Sequence, residues 1–265
     1  MAKFGFIGMG NMGYAMLKGL LSVYTPSDII FTCPDLEKCK RISQETGVRY
    51  AESNAECANN AQYVVLAVKP QYYESVITQI KDHVRADQLI ITIAPGKTLS
   101  WLAEKFGKDV KIVRTMPNTP ALLGEGMTGV SYDSSLFSLT EKEMIEKIFK
   151  SFGKYAVLDE KLMSAVVCAS GSSPAYVYMF IEALADSVVK YGVPRKDAYQ
   201  MAAQTVMGAA KMVLETGKHP AELKDAVCSP GGTTIAGVAA LEEWGFRNSI
   251  IKATDACYNK AENIK

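Results

Sequence analysis

Apolar residues fall in short unbroken runs through the first half of the chain and at helical spacing through the second. Phe4–Ile7, Ile29–Cys33, Tyr63–Val68 and Leu89–Ile93 are apolar segments of strand length, the pattern of parallel strands covered on both faces. Lys111–Thr115 and Met127–Tyr132 read as later strands. Helical patterns lie between them. Asn11–Leu21 offers Ala15, Met16, Leu17, Leu20 and Leu21 to a buried face, and a charged helix runs from about Asp35 to Thr46. Thr140–Phe152 is a third, where Thr140 and Glu143 have the spacing of a capping box. Strands alternating with helices predict a parallel sheet with right-handed crossovers.

The pattern changes near Leu158. Beyond it Leu162–Ala169, Ala175–Tyr191, Lys196–Thr216 and Asn248–Glu262 carry helical spacing, with turn signals at Gly192-Val193-Pro194 and Gly217-Lys218-His219-Pro220. The chain is therefore α/β, with a nucleotide-binding domain over 1–158 and an all-helical domain over 159–265. Met201, Met207 and Met212 read as core. Ala202, Ala203, Gly208, Ala209 and Ala210 allow close helix packing, within a core or at a subunit interface.

Gly8-Met9-Gly10-Asn11-Met12-Gly13 follows the strand ending at Ile7 and opens the first helix. In that setting a G-x-G-x-x-G run is the fingerprint of a Rossmann-type, doubly wound dinucleotide-binding domain. The first glycine makes the tight turn, the second lets the backbone approach the pyrophosphate, and the third packs helix on strand. Free N–H groups at the helix start hold the phosphates. No acid stands at the end of the second strand, Thr32-Cys33. Asp35 lies beyond Pro34, either as a ribose ligand or as an acid favoured at a helix N-terminus. A small, polar strand end with Lys38 nearby leaves room for a 2′-phosphate, so NADPH is the expected cofactor, with NADH possible.

Composition adds exclusions. The 265 residues are 48% hydrophobic and 22% charged with a net charge of +1, so neither nucleic acid nor an anionic membrane is an expected partner. Apolar runs are interrupted before the length of a membrane span. The chain enters a strand at once, leaving no room for a signal peptide, and a cytoplasmic location is expected. Six cysteines form no Cys-x-x-Cys pair, and only His83 and His219 are present, so no metal site is expected. The scattered cysteines read as unpaired, most of them as small buried hydrophobes.

Further motifs are more specific. They are Ala67-Val68-Lys69-Pro70, Met116-Pro117-Asn118-Thr119-Pro120, Ser170-Gly171-Ser172-Ser173-Pro174-Ala175-Tyr176, and Leu223-Lys224-Asp225 through Ser229-Pro230-Gly231-Gly232-Thr233-Thr234. Together they resemble the pyrroline-5-carboxylate reductase family, from Phe4 to about Ala261. The resemblance implies a Rossmann domain followed by a helical dimerisation domain. It also implies an active site shared with the partner subunit of a homodimer, and often a larger ring of dimers. By position, Asn54 would reach the adenosine end of the cofactor, and Ala67 to Pro70 and Ile93, Ala94 and Pro95 would line the dinucleotide. Glu160, Thr233 and Thr234 would match substrate-contacting positions. Cys33 stands where a serine often contacts the 2′-phosphate, Pro95 where a second small residue is usual, and Ala226 where some members carry asparagine.

The helical half also informs through what it lacks. Ketone reduction needs a proton donor for the developing alkoxide, usually His or Lys. No histidine occurs between Val84 and Lys218, and no lysine between Leu162 and Val189. A protonated imine needs less help, because hydride attack discharges the cation. Gly231, Gly232, Thr233 and Thr234 suit the substrate carboxylate through exposed N–H groups, hydroxyls and a following helix start; an ordinary loop with a threonine cap is the alternative. Thr234 could also accept a hydrogen bond from the ring nitrogen, and is the candidate catalytic residue. Ser173 reads as a helix cap before Pro174 and secondarily as a wall of the substrate site. Asn118 reads either as a cofactor neighbour or as a turn former between prolines. The expected reaction is reduction of 1-pyrroline-5-carboxylate to proline. The alternatives are a 3-hydroxyacid-type dehydrogenase or another imine reductase of this plan, and a non-catalytic nucleotide-sensing module.

Overall fold

Strand β1 (Ala2–Ile7) explains why the sheet is covered twice. Phe4 and Phe6 join one core cluster and Ile7 the other, and all three are fully buried. The structure is a computed structural model that describes residues 2–107 and 110–263. β1 lies within an eight-stranded sheet with β2 (Ile29–Thr32), β3 (Arg49–Tyr50), β4 (Ala61–Leu66), β5 (Leu89–Thr92), β6 (Lys111–Met116), β7 (Gly126–Ser131) and β8 (Gly153–Val157). The order is β3-β2-β1-β4-β5-β6-β7-β8. Strand order reverses between β1 and β4, which places a ligand crevice at the carboxyl ends of those strands.

The first six strands are parallel, as predicted, but β7 runs antiparallel to β6 and β8 parallel to β7. The segment joining β6 to β7 holds only a short 3-10 turn, Thr119–Leu123, whereas a parallel return needs a longer crossover.

Helices α1 (Asn11–Leu20), α2 (Leu36–Thr46) and α6 (Leu139–Lys150) cover one face. Met16, Leu17, Leu20, Ile42, Ile148 and Phe149 pack there with Phe4, Phe31, Val65 and Ile91. Helices α3 (Asn54–Asn59), α4 (Tyr73–Ile80) and α5 (Leu99–Phe106) cover the other. Cys57, Tyr73, Ile77, Leu102 and Phe106 pack there with Ile7, Ile30, Val64 and Ile90. The capping box of α6 is Ser138 with Glu141 rather than Thr140 with Glu143, because the helix begins at Leu139.

The second half is helical, as expected. α7 (Met163–Val166) leads into a π-helical turn, Val167–Gly171, followed by α8 (Ser173–Val189), α9 (Arg195–Thr216), α10 (Pro220–Ala226), α11 (Thr233–Glu243) and α12 (Phe246–Glu262). Ser172 is itself in αR conformation and α8 starts at Ser173, so Ser173 is a first helical residue rather than a cap. Two compact units result, one of residues up to 172 with those from 257 onward, the other of residues 173–256. That division falls later than the change of pattern at Leu158.

Two sequence expectations about the helical half are corrected. Met201, Met207 and Met212 are 57%, 58% and 51% exposed. The buried centre of the second unit is Ala185, Ala198 and Ala202; small residues bring α8 and α9 together and leave the longer side chains outside. Within the helical stretch Glu160–Val189 an 18-residue window reaches mean hydropathy 1.2, enough by length and composition alone for a membrane span, because residues 162–181 carry no charge.

The cysteines divide. Cys57 and Cys168 are buried, as expected, and burial pushes the Cys57 thiol up to about 12. Cys33 and Cys39 are joined in a disulfide across a Cα–Cα distance of 6.4 Å, which corrects the reading of all six as unpaired. Spacing in sequence did not show it, because Cys33 follows the end of β2 and Cys39 lies in the next helix.

Candidate active site

The glycine-rich loop is shaped by contacts that leave no room for side chains at two of its glycines. Gly8 has φ +94°, and a Cβ there would meet Val68 Cγ1 at 2.6 Å. A Cβ on Gly13 would meet the Gly8 carbonyl oxygen at 2.7 Å, so α1 lies directly on the strand end. Gly10 differs. A Cβ there would meet nothing within 4 Å, and Gly10 and Asn11 are exposed at the mouth of the crevice. Gly10 is also the N-cap of α1 and supplies no capping side chain, so the first helical N–H groups remain available. This is a backbone anion cradle at a strand-to-helix turn.

A cavity of about 1050 Å³ opens beside the loop. Gly8 and Val68, Thr32, Cys33 and Pro34 at the end of β2, and Tyr50, Asn54 and Gln79 are among the residues that line it. Its volume and position fit an extended dinucleotide at the switch point. Asn54 donates from Nδ2 to Gln79 Oε1 at 2.9 Å, which fixes its amide at the cavity edge. No lysine or arginine is among the lining residues. Asp35 is the N-cap of α2 and accepts from the Lys38 N–H at 3.0 Å, so of its two sequence readings the helix-terminal one describes its contact.

The other expected cofactor residues frame this crevice in different ways. Ile7 and Met9 are buried, and the Ile7 carbonyl accepts from the Ala67 N–H at 2.8 Å, so both serve as scaffold under the loop. Met12 packs against the core beneath α1. Lys69 is exposed and precedes the 3-10 turn Pro70–Tyr72. Ala94 and Pro95 line a smaller pocket with Arg114 and Met116. Asn118 is buried, donates to the Ser170 carbonyl at 3.0 Å and accepts from the Met127 N–H at 2.9 Å. Both ends of its amide are thus spent on holding loops together.

Two features escaped the sequence reading. The hydroxyl of Tyr73, fully buried, donates to the Leu66 carbonyl at 2.6 Å and accepts from Thr92 Oγ1 at 2.9 Å and the Ile93 N–H at 3.2 Å. It ties together the carboxyl ends of β4 and β5, and burial pushes its pKa up to about 12. Arg114, nearly buried, pairs with Glu160 at 2.9 Å, and the same Glu160 oxygen accepts from the Leu99 N–H at 2.7 Å. Glu160 is thereby tied to a wall of the smaller pocket.

The second unit carries the remaining candidates. Gly231 has φ +69°, and Gly232 is the N-cap of α11 without a capping side chain. Thr233 and Thr234 are the first residues of that helix and are exposed. The start of α11 therefore presents free N–H groups beside two hydroxyls, a donor set suited to a carboxylate. Ser173 belongs to this unit as well.

A doubly wound sheet with a glycine-rich cradle, followed by a helical unit, defines the class of dinucleotide-dependent oxidoreductases with a helical second domain. Residues 160–264 match the family model for pyrroline-5-carboxylate reductase dimerisation, and residues 3–96 match one for NADP oxidoreductase, coenzyme F420-dependent. The chain is 47% identical over 264 residues to a pyrroline-5-carboxylate reductase of Escherichia coli, covering 99% of this chain and 98% of that protein. A structure of a pyrroline-5-carboxylate reductase from Coxiella burnetii superposes with TM-score 0.90 at 34% identity, covering 98% of this chain and 97% of the other. The Plasmodium falciparum pyrroline carboxylate reductase with NADP bound gives 0.87 at 34% identity, with the same coverage. The chain belongs to the pyrroline-5-carboxylate reductase family.

Proposed function

We propose that this protein reduces 1-pyrroline-5-carboxylate to L-proline with NADPH, accepting NADH as an alternative donor. The observation that carries the reading is full-length similarity, 47% over 99% of the chain, to a relative named for that reaction. The cofactor supplies hydride when bound. Gly8, Gly10 and the first turn of α1 hold its pyrophosphate; Cys33 and Asn54 border its adenosine end; Ala67–Pro70 and Ile93–Pro95 flank the rest.

The substrate carboxylate is assigned to the N–H groups of Thr233 and Thr234, the first of α11; Gly232 at the cap borders it, its own N–H donating to the Ser229 carbonyl at 3.0 Å. Gly231 shapes the turn that exposes them, and the Thr234 hydroxyl accepts from the ring nitrogen. The protonated C=N carbon gains two electrons with the hydride, the nitrogen loses its positive charge, and the product is a secondary amine. No further proton donor is then required at the nitrogen, in keeping with the absence of lysine from α8. The work of the chain is to orient the substrate and exclude water. Glu160 contacts substrate in this scheme, and Ser173 forms part of the wall.

The protein acts in the cytoplasm as a homodimer whose partner subunit completes each site, with rings of dimers as a further assembly. The dimerisation match over 160–264 supports this, as do the exposed methionines of α9, which need a cover. Substrate titration of Thr234→Ala tests the carboxylate and nitrogen assignment. A KM raised about tenfold or more with NADPH affinity unchanged is expected. Wild-type kinetics in that variant would remove Thr234 from the site.

A further inference from the structure

The two cysteines joined at the end of β2 also line the cavity assigned to the adenosine end of the cofactor. Cys33 follows the last residue of β2 and is partly exposed; Cys39 lies in the first turns of α2 and is 2% exposed. Their Cα atoms stand 6.4 Å apart, within the span a disulfide bridges without moving the backbone. The bridge closes a short loop, 34–38, that contains the N-cap Asp35 and the Lys38 N–H that it accepts. The bond therefore fixes both the strand end and the helix start that border the cavity.

We propose that Cys33 and Cys39 form a reversible thiol–disulfide modification site through which small-molecule disulfides lower the affinity for NADPH. The proposal rests on reading this cavity as the adenosine end of the dinucleotide site. Cys33, the accessible sulfur, attacks as thiolate on a small-molecule disulfide, forming a mixed disulfide and releasing one thiol. Cys39 then attacks the Cys33 sulfur and releases the second thiol. The two cysteines lose two electrons and two protons, and the small disulfide gains them as two thiols.

Reduced, each sulfur carries a hydrogen-bond donor. Bridged, neither does, and Cys33 is held toward α2 on a loop that can no longer adjust to the ribose and its substituent. The cavity has no lysine or arginine in its lining to compensate. Linkage makes the effect reciprocal: bound NADPH shifts the pair toward the dithiol by the same factor that the bridge weakens NADPH.

The test is the Kd of NADPH by titration calorimetry on the full chain, reduced and then treated with oxidised glutathione, with peptide mapping of the bridge. Cys33→Ser, which has no thiol to attack the small disulfide, is measured in parallel. Expected are a Cys33–Cys39 bridge in the treated wild type, a Kd raised about threefold or more and restored by dithiothreitol, and the same Kd before and after treatment in Cys33→Ser. A bridge that forms with Kd unchanged overturns the proposal. So does the absence of that bridge, or an equal loss of affinity on treating Cys33→Ser. Failure of the reduced wild type to bind NADPH would overturn the cofactor site itself, and the switch with it, a result distinct from failure of the switch alone.

Discussion

Tyr73 and Thr92 meet in the core, hydroxyl to hydroxyl at 2.9 Å, beneath the carboxyl ends of the two strands that carry Ala67–Pro70 and Ile93–Pro95. Tyr73→Phe keeps the ring and removes the partner of the Leu66 carbonyl, the Thr92 hydroxyl and the Ile93 N–H. Leaving such buried groups unmatched costs about 1–3 kcal/mol. Denaturant titration should show that loss, and calorimetry a weaker NADPH affinity. A variant of wild-type stability and affinity would mean that the strand ends hold their positions without it.

Gly10 separates cofactor binding from folding. A side chain there meets no protein atom within 4 Å, and its backbone, φ −73° and ψ −174°, suits any residue. Gly10→Val should therefore keep the wild-type melting temperature and lose at least about tenfold in NADPH affinity by occupying the space of the pyrophosphate. Undiminished NADPH binding would move the pyrophosphate elsewhere.

Much of this was legible in the sequence because it depends on local pattern. The apolar run Phe4–Ile7, the glycines after it and the helix from Asn11 follow one another directly, so strand, cradle and helix could be read in order. What was missed depends on partners brought together by the fold. Tyr73 looks like one more apolar residue of α4 until β5 carries Thr92 to it. Cys33 and Cys39 share no recognised motif, and only the turn between β2 and α2 brings them together. The methionines of α9 have core-like spacing, but a single chain supplies only a small alanine-rich contact to α8. The capping box of α6 was misplaced by two residues because both Ser138 and Thr140 have a glutamate three residues on.

Glu141 should make stability depend on acid pH. Burial works against its charge, but hydrogen bonds from Lys111 and from the Ser138 backbone and hydroxyl hold its pKa below the ordinary 4.5. A carboxylate depressed on folding adds stability that is full above the unfolded value and is lost as pH falls through the folded one. The melting-temperature gap between wild type and Glu141→Gln should hold near neutrality and close below pH 4.5. A gap that does not change with pH would show that packing, not charge, sets the contribution.

Glu160→Gln should destabilise the first unit. Arg114 would lose its carboxylate while remaining nearly buried, and hydrogen bonds to charged groups contribute about 1.5–3 kcal/mol. Urea unfolding measures this directly. Arg114→Met, which removes the charge as well as its partner's role, should restore part of the loss when combined with Glu160→Gln. Strict additivity of the two substitutions would show that the pair is not coupled.

The central claim is tested most directly by mixing the purified protein with NADPH and 1-pyrroline-5-carboxylate, following the loss of NADPH absorbance and identifying the product. Oxidation that requires the substrate and yields L-proline in equal amount is the predicted result. A folded protein that binds NADPH and leaves it unoxidised in the presence of that imine would contradict it.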